Sequence, residues 1–375
     1  MTETKTQWAL IVLLYLSGLL AAWQFAKIAL SLAALDQVYP DSPTALLVSG
    51  VSVAGIVFGA TAGVIIARFG PRRALLVALL AAAALTAGQA ALPPYPLMMA
   101  LRVFEGAAHL VIVVAAPTLM AASAVGRDVP VAMGLWGTFF GVGFATAALV
   151  FPVFGSVPGI LYANAAGFLI LAAALWPILP RTGRETSVRQ SFLARHIAIY
   201  RNPRLFAPAA AFFTHTIVFL GMLTFLPSVL GPWVGPILPL VALVGTFGAG
   251  ILARYMPPRT ILLAAFLVSS VGMLLAIVLP ETARAVTVLA MFGAVGLVPG
   301  AALAAVPGLN EKTADQALAN GAIAQLGNVG TATSVPLVAW ATTFGYPGIA
   351  TVYAGISLSG LLAFWLIHRK IAEPA

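Results

Sequence analysis

The segment Pro96–Ala124, PLMMALRVFEGAAHLVIVVAAPTLMAASA, is a long apolar run whose ionisable side chains are Arg102, Glu105 and His109. The run is long enough for a membrane-spanning helix, which needs about 20 residues. Spacings of three and four residues place the three side chains on one face of that helix. A charge at the centre of a spanning helix costs about 2.5–3.5 kcal/mol. The sequence therefore predicts that this face lines something polar.

The composition of the whole chain indicates a membrane protein. Hydrophobic residues make up 61% of it and charged residues 8%, whereas soluble domains contain about 25% charged residues. The longest polar stretch, residues 181–204, is too short for a sizeable soluble domain. The absence of cysteine excludes disulfides, cysteine-bound zinc and thiol catalysis.

Apolar runs of spanning length recur along the chain and are separated by proline- and glycine-rich breaks such as Pro93-Pro94-Tyr95-Pro96. They predict an all-α membrane protein with twelve transmembrane helices, at residues 8–34, 44–67, 73–93, 95–124, 130–154, 157–179, 205–230, 233–254, 260–279, 283–308, 317–343 and 346–367.

The distribution of lysine and arginine predicts the orientation. If the N-terminus is cytoplasmic, one basic residue, Arg284, lies in an outside loop, and Lys27 and Arg102 lie within spans. The other 16 of the 19 basic residues are then cytoplasmic. We expect both termini in the cytoplasm and the chain in the inner (plasma) membrane, with the lipid bilayer as its surroundings. The net charge of +9 then needs no nucleic-acid partner.

An internal repeat supports two six-helix halves. At an offset of 187 residues and without gaps, the sequence aligns Gly63 with Gly250, Arg72 with Arg259, Pro93 with Pro280, Gly106 with Gly293, Asp128 with Asp315, Gly134 with Gly321, and Gly143 with Gly330. We predict an N-terminal bundle over residues 1–180, a cytoplasmic linker over 181–204 and a C-terminal bundle over 205–375. Parallel repeats of this kind are the plan of many secondary transporters, which hold their substrate between the halves.

The loop after the second span resembles the signature G-x-x-x-D-R-x-G-R-R of the major facilitator superfamily, and the resemblance covers nearly the whole chain. The matching positions are Gly63, Arg68, Gly70, Arg72 and Arg73. In that family the loop helps to latch the halves, so the resemblance implies a cytoplasmic gating loop here. Ala67 replaces the aspartate and Pro71 an arginine, which puts a charge-based latch in doubt.

Arg102-x-x-Glu105-Gly106 is similar to the family's fourth-helix motif R-x-x-Q/E-G, whose arginine faces the central cavity. At 1.5 Å per residue, Lys27 lies roughly 13 Å below Asp36, and Arg102 and Glu105 lie roughly 10 and 15 Å below Tyr95. The first and fourth helices line the cavity in this family, so we expect the three charges at one depth. Two alternatives stay open: Arg102 only neutralises Glu105, or Lys27 reaches the outer interface.

Other polar residues in the spans complete the predicted site. We assign Lys27, Arg102, Gln24, His215, Gln325 and Asn328 to substrate binding, and Glu105 with His109 to proton coupling. Phe212, Phe213, Phe219 and Phe292 suggest an aromatic second half of the cavity. For each histidine, phenylalanine and amide, a packing role is the alternative.

The sequence thus predicts a secondary transporter for a small anionic or zwitterionic organic solute, coupled to protons. A proton-driven exporter of amphipathic compounds is one alternative, and a receptor or membrane enzyme on this scaffold is another. Met133-Gly134-Leu135-Trp136 faintly resembles cyanate- and nitrate-type permeases. No Walker A loop, H-E-x-x-H pair or G-x-S-x-G elbow is present. We expect a monomer without enzymatic activity, cofactor or metal.

Overall fold

The computed structural model describes residues 5–180 and 192–372, and the elements within these ranges are helices. The α-helices are α1 (Trp8–Ala29), α2 (Leu32–Val38), α3 (Ala45–Gly50), α4 (Ser52–Phe69), α5 (Pro71–Ala90), α6 (Tyr95–Ala122), α7 (Asp128–Gly137), α8 (Phe139–Val150), α9 (Val157–Ile178), α10 (Phe192–Arg201), α11 (Pro203–Leu230), α12 (Ile237–Leu252), α13 (Pro258–Leu275), α14 (Glu281–Leu309), α15 (Thr313–Thr342) and α16 (Gly345–Ala372). Short 3₁₀ turns follow α8, α11 and α13.

The helices confirm an all-α membrane protein. Within the described ranges, nine segments are long and apolar enough to cross a membrane, and a tenth consists of α7 and the helix after it, which meet at a bend of 48°. Two further predicted spans correspond to α12, which has only 16 residues, and to the 30-residue α15, which is less apolar. For these two, membrane crossing stays a prediction.

The first span is shorter than the sequence predicted. We expected it to reach residue 34, but α1 ends at Ala29 and a separate short helix, α2, follows from Leu32. The apolar run continues through this break, so hydropathy alone gives no sign of it. Lys27 consequently lies in the last turn of its helix, where a positive charge is favoured by the helix dipole.

The chain forms two compact units, and each contains a short piece of the other sequence half. Unit 1 comprises Met1–Val125, Phe139–Ser191 and Lys312–Ala324; unit 2 comprises Gly126–Thr138, Phe192–Glu311 and Gln325–Ala375. The two short pieces, Gly126–Thr138 and Lys312–Ala324, correspond to each other in the internal repeat. Asp128 and Asp315, which are 187 residues apart, lie near their starts. The domain boundaries proposed from the sequence stay a prediction. Residues 181–191 of the predicted linker lie outside the described residues, and 192–201 form α10.

Repeat-related glycines make equivalent contacts in the two units. In unit 1, a Cβ built on Gly63 would lie 2.3 Å from the carbonyl oxygen of Ala317 in α15. In unit 2, a Cβ on Gly250 would lie 2.7 Å from the carbonyl oxygen of Pro130 in α7. Each glycine therefore allows a helix backbone to approach closely. Pro71 and Pro258, which begin α5 and α13, are separated by the same offset as these glycines.

The contact between Gly106 and Val51 sets the position of α6. A Cβ on Gly106 would lie 2.3 Å from the Val51 carbonyl oxygen at the break between α3 and α4. We expect Gly106→Ala to force the helices apart and to lower the free energy of unfolding by about 1–3 kcal/mol. Thermal unfolding in detergent measures the change.

Gly248→Ala is the matched control, because a Cβ there meets nothing within 4 Å in the interior of α12. It should leave stability unchanged or raise it by up to about 1 kcal/mol. Equal destabilisation by the two substitutions would show that the Gly106 contact does not hold α6 in place.

Candidate functional site

Glu105 of α6 forms ion pairs with two cations inside unit 1. Lys27 Nζ of α1 lies 2.5 Å from Glu105 Oε1, and Arg102 Nη1 lies 2.5 Å from Glu105 Oε2. All three side chains have no exposed surface. The contact confirms that Lys27 and Glu105 share one depth. A substrate-binding role for Arg102 beyond this pairing stays a prediction.

The break in the second span fixes the Arg102 side chain. At the break between α3 and α4, the N–H of Val51 bonds to the Ser49 carbonyl. The Nε of Arg102 donates to the Leu47 carbonyl at 2.8 Å. The close approach at Gly106 brings α6 near enough for the bond to form.

Two polar residues of α5, which sequence reasoning missed, complete the ligand set of Glu105. Gln89 Nε2 donates to Glu105 Oε2 at 2.7 Å. Thr86 accepts from Lys27 Nζ at 2.8 Å and donates to Glu105 Oε1 at 2.9 Å. Their sequence signal is a polar pair three residues apart within the otherwise apolar LLVALLAAAALTAGQA of the third span. The carboxylate therefore binds groups from α1, α5 and α6.

The cluster of Lys27, Arg102 and Glu105 carries a net charge of +1 and has no exposed surface. In the described part of the chain, these are the only buried lysine, arginine or acidic side chains. The Nη2 of Arg102 is buried and has no hydrogen-bond partner in the structure. An uncompensated buried cation is costly, so the site favours the arrival of one more negative charge.

A second polar pair lies one turn further along the same helices. His109 Nδ1 of α6 lies 3.0 Å from Gln24 Oε1 of α1. The ring of Phe25 packs edge-on against the imidazole, with centroids 5.1 Å apart. The structure thus brings Gln24 and His109 together near the charged cluster, as two of the residues predicted from sequence. Their roles stay predictions.

Of the predicted aromatic surface, Phe292 lies in the packed core of unit 2, and Phe212, Phe213 and Phe219 are half-buried. His215 of α11 stacks on Phe219, with ring centroids 4.5 Å apart, and Phe219 stacks on Phe292 at 5.5 Å. Phe292 has no exposed surface and belongs to the main hydrophobic cluster of this unit. His215 Nδ1 is buried without a hydrogen-bond partner.

Gln325 and Asn328, predicted to line the site, lie on α15 in unit 2 and are half-buried. Gln325 Oε1 accepts a hydrogen bond of 2.6 Å from the Tyr200 hydroxyl, and Gln325 Nε2 lies 3.5 Å from His196 Nε2. Tyr200 and His196 belong to α10. In this structure Gln325 therefore contacts α10, the helix within the predicted linker.

The family model described as Major Facilitator Superfamily matches residues 12–232, more than half of the chain. The match includes the loop after the second span and the whole cluster around Glu105. The chain belongs to the major facilitator superfamily.

Solved structures of major facilitator proteins share the fold over nearly the full chain. The proton:xylose symporter XylE matches with 14% identity and a TM-score of 0.74, over 96% of this chain and 95% of its own. The Escherichia coli fucose:proton symporter FucP matches with 14% identity and a TM-score of 0.75, over 95% and 98%. The human organic anion transporter MFSD10 (TETRAN) matches with 18% identity and a TM-score of 0.72, over 95% and 98%. None of the curated proteins matches by sequence.

Residues of the major facilitator signature loop take part in helix packing and in the turn between α4 and α5. Gly63 packs on α15, and Gly70 has a φ of +83°, a conformation that favours glycine, between α4 and α5. Arg72 bonds to the end of α9, whereas Arg68 and Arg73 are exposed. A gating role for the loop stays a prediction.

The equivalent loop of the second half carries an ion pair within unit 2. Arg254 pairs with Asp128 at the start of α7, and its Nε donates to the Arg127 carbonyl at 3.1 Å. Both side chains are about one-third exposed, so the pair contributes at most about 1 kcal/mol. Arg254 is the repeat equivalent of Ala67, the position where the family signature has an aspartate. Neither half of this chain therefore has the aspartate.

Proposed function

We propose that this major facilitator transporter moves a small anionic or zwitterionic organic solute by alternating access, together with a proton. The observation that carries the proposal is the cluster in which two buried cations share the single carboxylate of Glu105. Its net charge of +1 favours an anionic ligand, and when Glu105 is protonated the two cations present a charge of +2 to that ligand. Charge-assisted hydrogen bonds in a dry site give such a pairing both strength and geometry.

The donors of the cluster suit a carboxylate or a similar anion. Arg102 has a planar fork of N–H groups, of which Nη2 is buried and without a partner. Lys27 has three N–H donors, and Thr86 and Glu105 accept two of them. An anion that enters the cluster would therefore bind Arg102 Nη2 and the remaining donor of Lys27. Because the three side chains are fully buried, it reaches them only when the surrounding helices part.

Glu105 is the proton site in this proposal. Among the described residues, it is the only buried acidic side chain. When Glu105 takes up a proton, its two ion pairs are lost, and Lys27 and Arg102 become free to bind an anion. The anion in turn repels the carboxylate form of Glu105. Proton and anion therefore favour each other's binding, and thermodynamic linkage makes the coupling reciprocal.

The matched structures agree with this class of function. XylE and FucP are described as proton symporters, and MFSD10 as an organic anion transporter. The alternative, an exporter with an aromatic binding surface, would use Phe212, Phe213 and Phe219, which are half-buried, whereas Phe292 has no exposed surface. We further propose that the chain acts as a monomer in the inner membrane, with both termini cytoplasmic and without enzymatic activity.

A thermal-shift screen of purified protein at two pH values tests the solute class. Organic anions, amino acids, neutral sugars and lipophilic cations are compared, because a specific ligand stabilises the folded state by mass action, by about 2.7 kcal/mol at 100 times its Kd. We expect hits among anions or zwitterions, with larger shifts at the lower pH. Hits confined to sugars or to unrelated lipophilic cations would contradict the proposal.

A further inference from the structure

An apolar groove lies on the outside of unit 1, between α5 and α9. Its volume is about 450 Å³, and it is lined by Leu76, Leu80, Leu169, Ala172, Ala173 and Trp176. Leu80, Leu169 and Trp176 are each between 45% and 60% exposed. The groove thus opens on a surface of two spanning helices, where the surrounding medium is lipid.

Arg72 lies beside Trp176, at one end of the groove. The Trp176 carbonyl would normally accept the N–H of residue 180, but Pro180 has none. Arg72 Nη2 donates to this carbonyl at 2.7 Å, and its guanidinium lies 5.9 Å from the centre of the Trp176 ring. The Nε of Arg72 is buried and has no hydrogen-bond partner. The arginine is therefore held in place with a donor left over.

The direction of the groove matches that of a lipid molecule. Arg72 and Arg73 lie in the first turn of α5, and Trp176 lies in the last turn of α9. Arg72 bonds to Trp176, so the basic start of α5 and the aromatic end of α9 are at the same end of the groove. Leu169 lies seven residues before Trp176, about 10 Å deeper along α9. Tryptophan and arginine are typical of the headgroup level, and leucines of the hydrocarbon region.

Charge favours an anionic headgroup over a zwitterionic one. The sequence has no Asp or Glu between residues 42 and 104, which include α5, or between residues 129 and 180, which include α9. Arg73 is exposed next to Arg72. A headgroup with a net negative charge therefore meets two arginines and no carboxylate from either helix.

We propose that this groove binds one anionic phospholipid, such as phosphatidylglycerol. Arg72 and Arg73 bind its phosphate, and an acyl chain packs along Leu76, Leu80 and Leu169. The proposal is independent of the solute and of the cluster around Glu105.

Lipid titration of the purified wild-type protein in detergent tests the site, with melting temperature as the readout. Dioleoyl-phosphatidylglycerol should raise the melting temperature in a saturable way, whereas dioleoyl-phosphatidylcholine and free glycerol phosphate should not. Arg73→Gln removes one basic charge at the headgroup and should raise the half-maximal lipid concentration about fivefold. Ala173→Phe fills the groove from an exposed position and should also weaken the effect.

Two control variants separate the site from general effects. Ile170→Phe adds the same bulk on α9 at a position that is 70% exposed and does not line the groove. Arg369→Gln removes an exposed charge from α16. Both should respond to phosphatidylglycerol as the wild type does. Equal stabilisation by both lipids, an effect reproduced by glycerol phosphate, or an unchanged response of Arg73→Gln and Ala173→Phe would each overturn the proposal.

Discussion

Replacing Glu105 by glutamine is expected to lower the free energy of unfolding by about 3–5 kcal/mol, the usual cost of breaking a buried ion pair. Lys27 and Arg102 both lie 2.5 Å from the carboxylate, and neither has another negative partner among the buried side chains of the described residues. The variant would keep two buried cations side by side without a counter-ion. Thermal or denaturant unfolding in detergent measures the loss.

Glu105→Gln should lower the free energy of unfolding more than the removal of either cation does. Lys27→Met leaves the pair of Arg102 and Glu105, and Arg102→Met leaves the pair of Lys27 and Glu105. Each remaining pair is neutral, so only lost hydrogen bonds and packing reduce stability. If Lys27→Met or Arg102→Met destabilised the protein as much as Glu105→Gln, charge balance would not be the main source of the cluster's stability.

The same two cation variants are expected to abolish solute binding while the protein stays folded. Truncating one partner of a buried charge pair costs about 2–5 kcal/mol of binding free energy. Uptake into proteoliposomes and ligand-induced shifts of the melting temperature measure the loss, using the anion that stabilises the wild type most.

A charge-matched control keeps this second prediction specific. Arg284→Met removes a cation that donates to the Ala276 carbonyl at 3.1 Å outside the cluster, and it should bind the anion as the wild type does. Retained uptake by Lys27→Met would show that the cluster serves only to hold α1, α5 and α6 together.

Features that depend on local composition could be predicted from the sequence. Spanning helices follow from apolar runs, and the 187-residue offset predicts the matching starts of α5 and α13. The depth argument correctly placed Lys27 beside Glu105, although α1 ends at Ala29 and not near residue 34. The count from Asp36 crosses the break between α1 and α2, so the rise per residue alone does not account for the agreement.

Features that depend on contacts between distant residues could not be predicted. Thr86 and Gln89 form a polar pair in an apolar span, but only the packing of α5 on α6 shows that they are partners of Glu105. Gln325 was predicted to line the site, but its bond to Tyr200 depends on where α10 folds back. Periodicity identifies which residues share a helix face, and it gives no information about which neighbouring helix covers that face.

Proton uptake on anion binding tests the central claim most directly. It can be measured on purified wild-type protein by calorimetry in buffers of different ionisation enthalpy. If the anion takes the place of the Glu105 carboxylate beside Lys27 and Arg102, binding should take up protons, with a limit of about one proton per anion. Glu105→Gln, stabilised by the anion itself, should bind without uptake. Anion binding to the wild type with no proton uptake, or with proton release, would contradict the account.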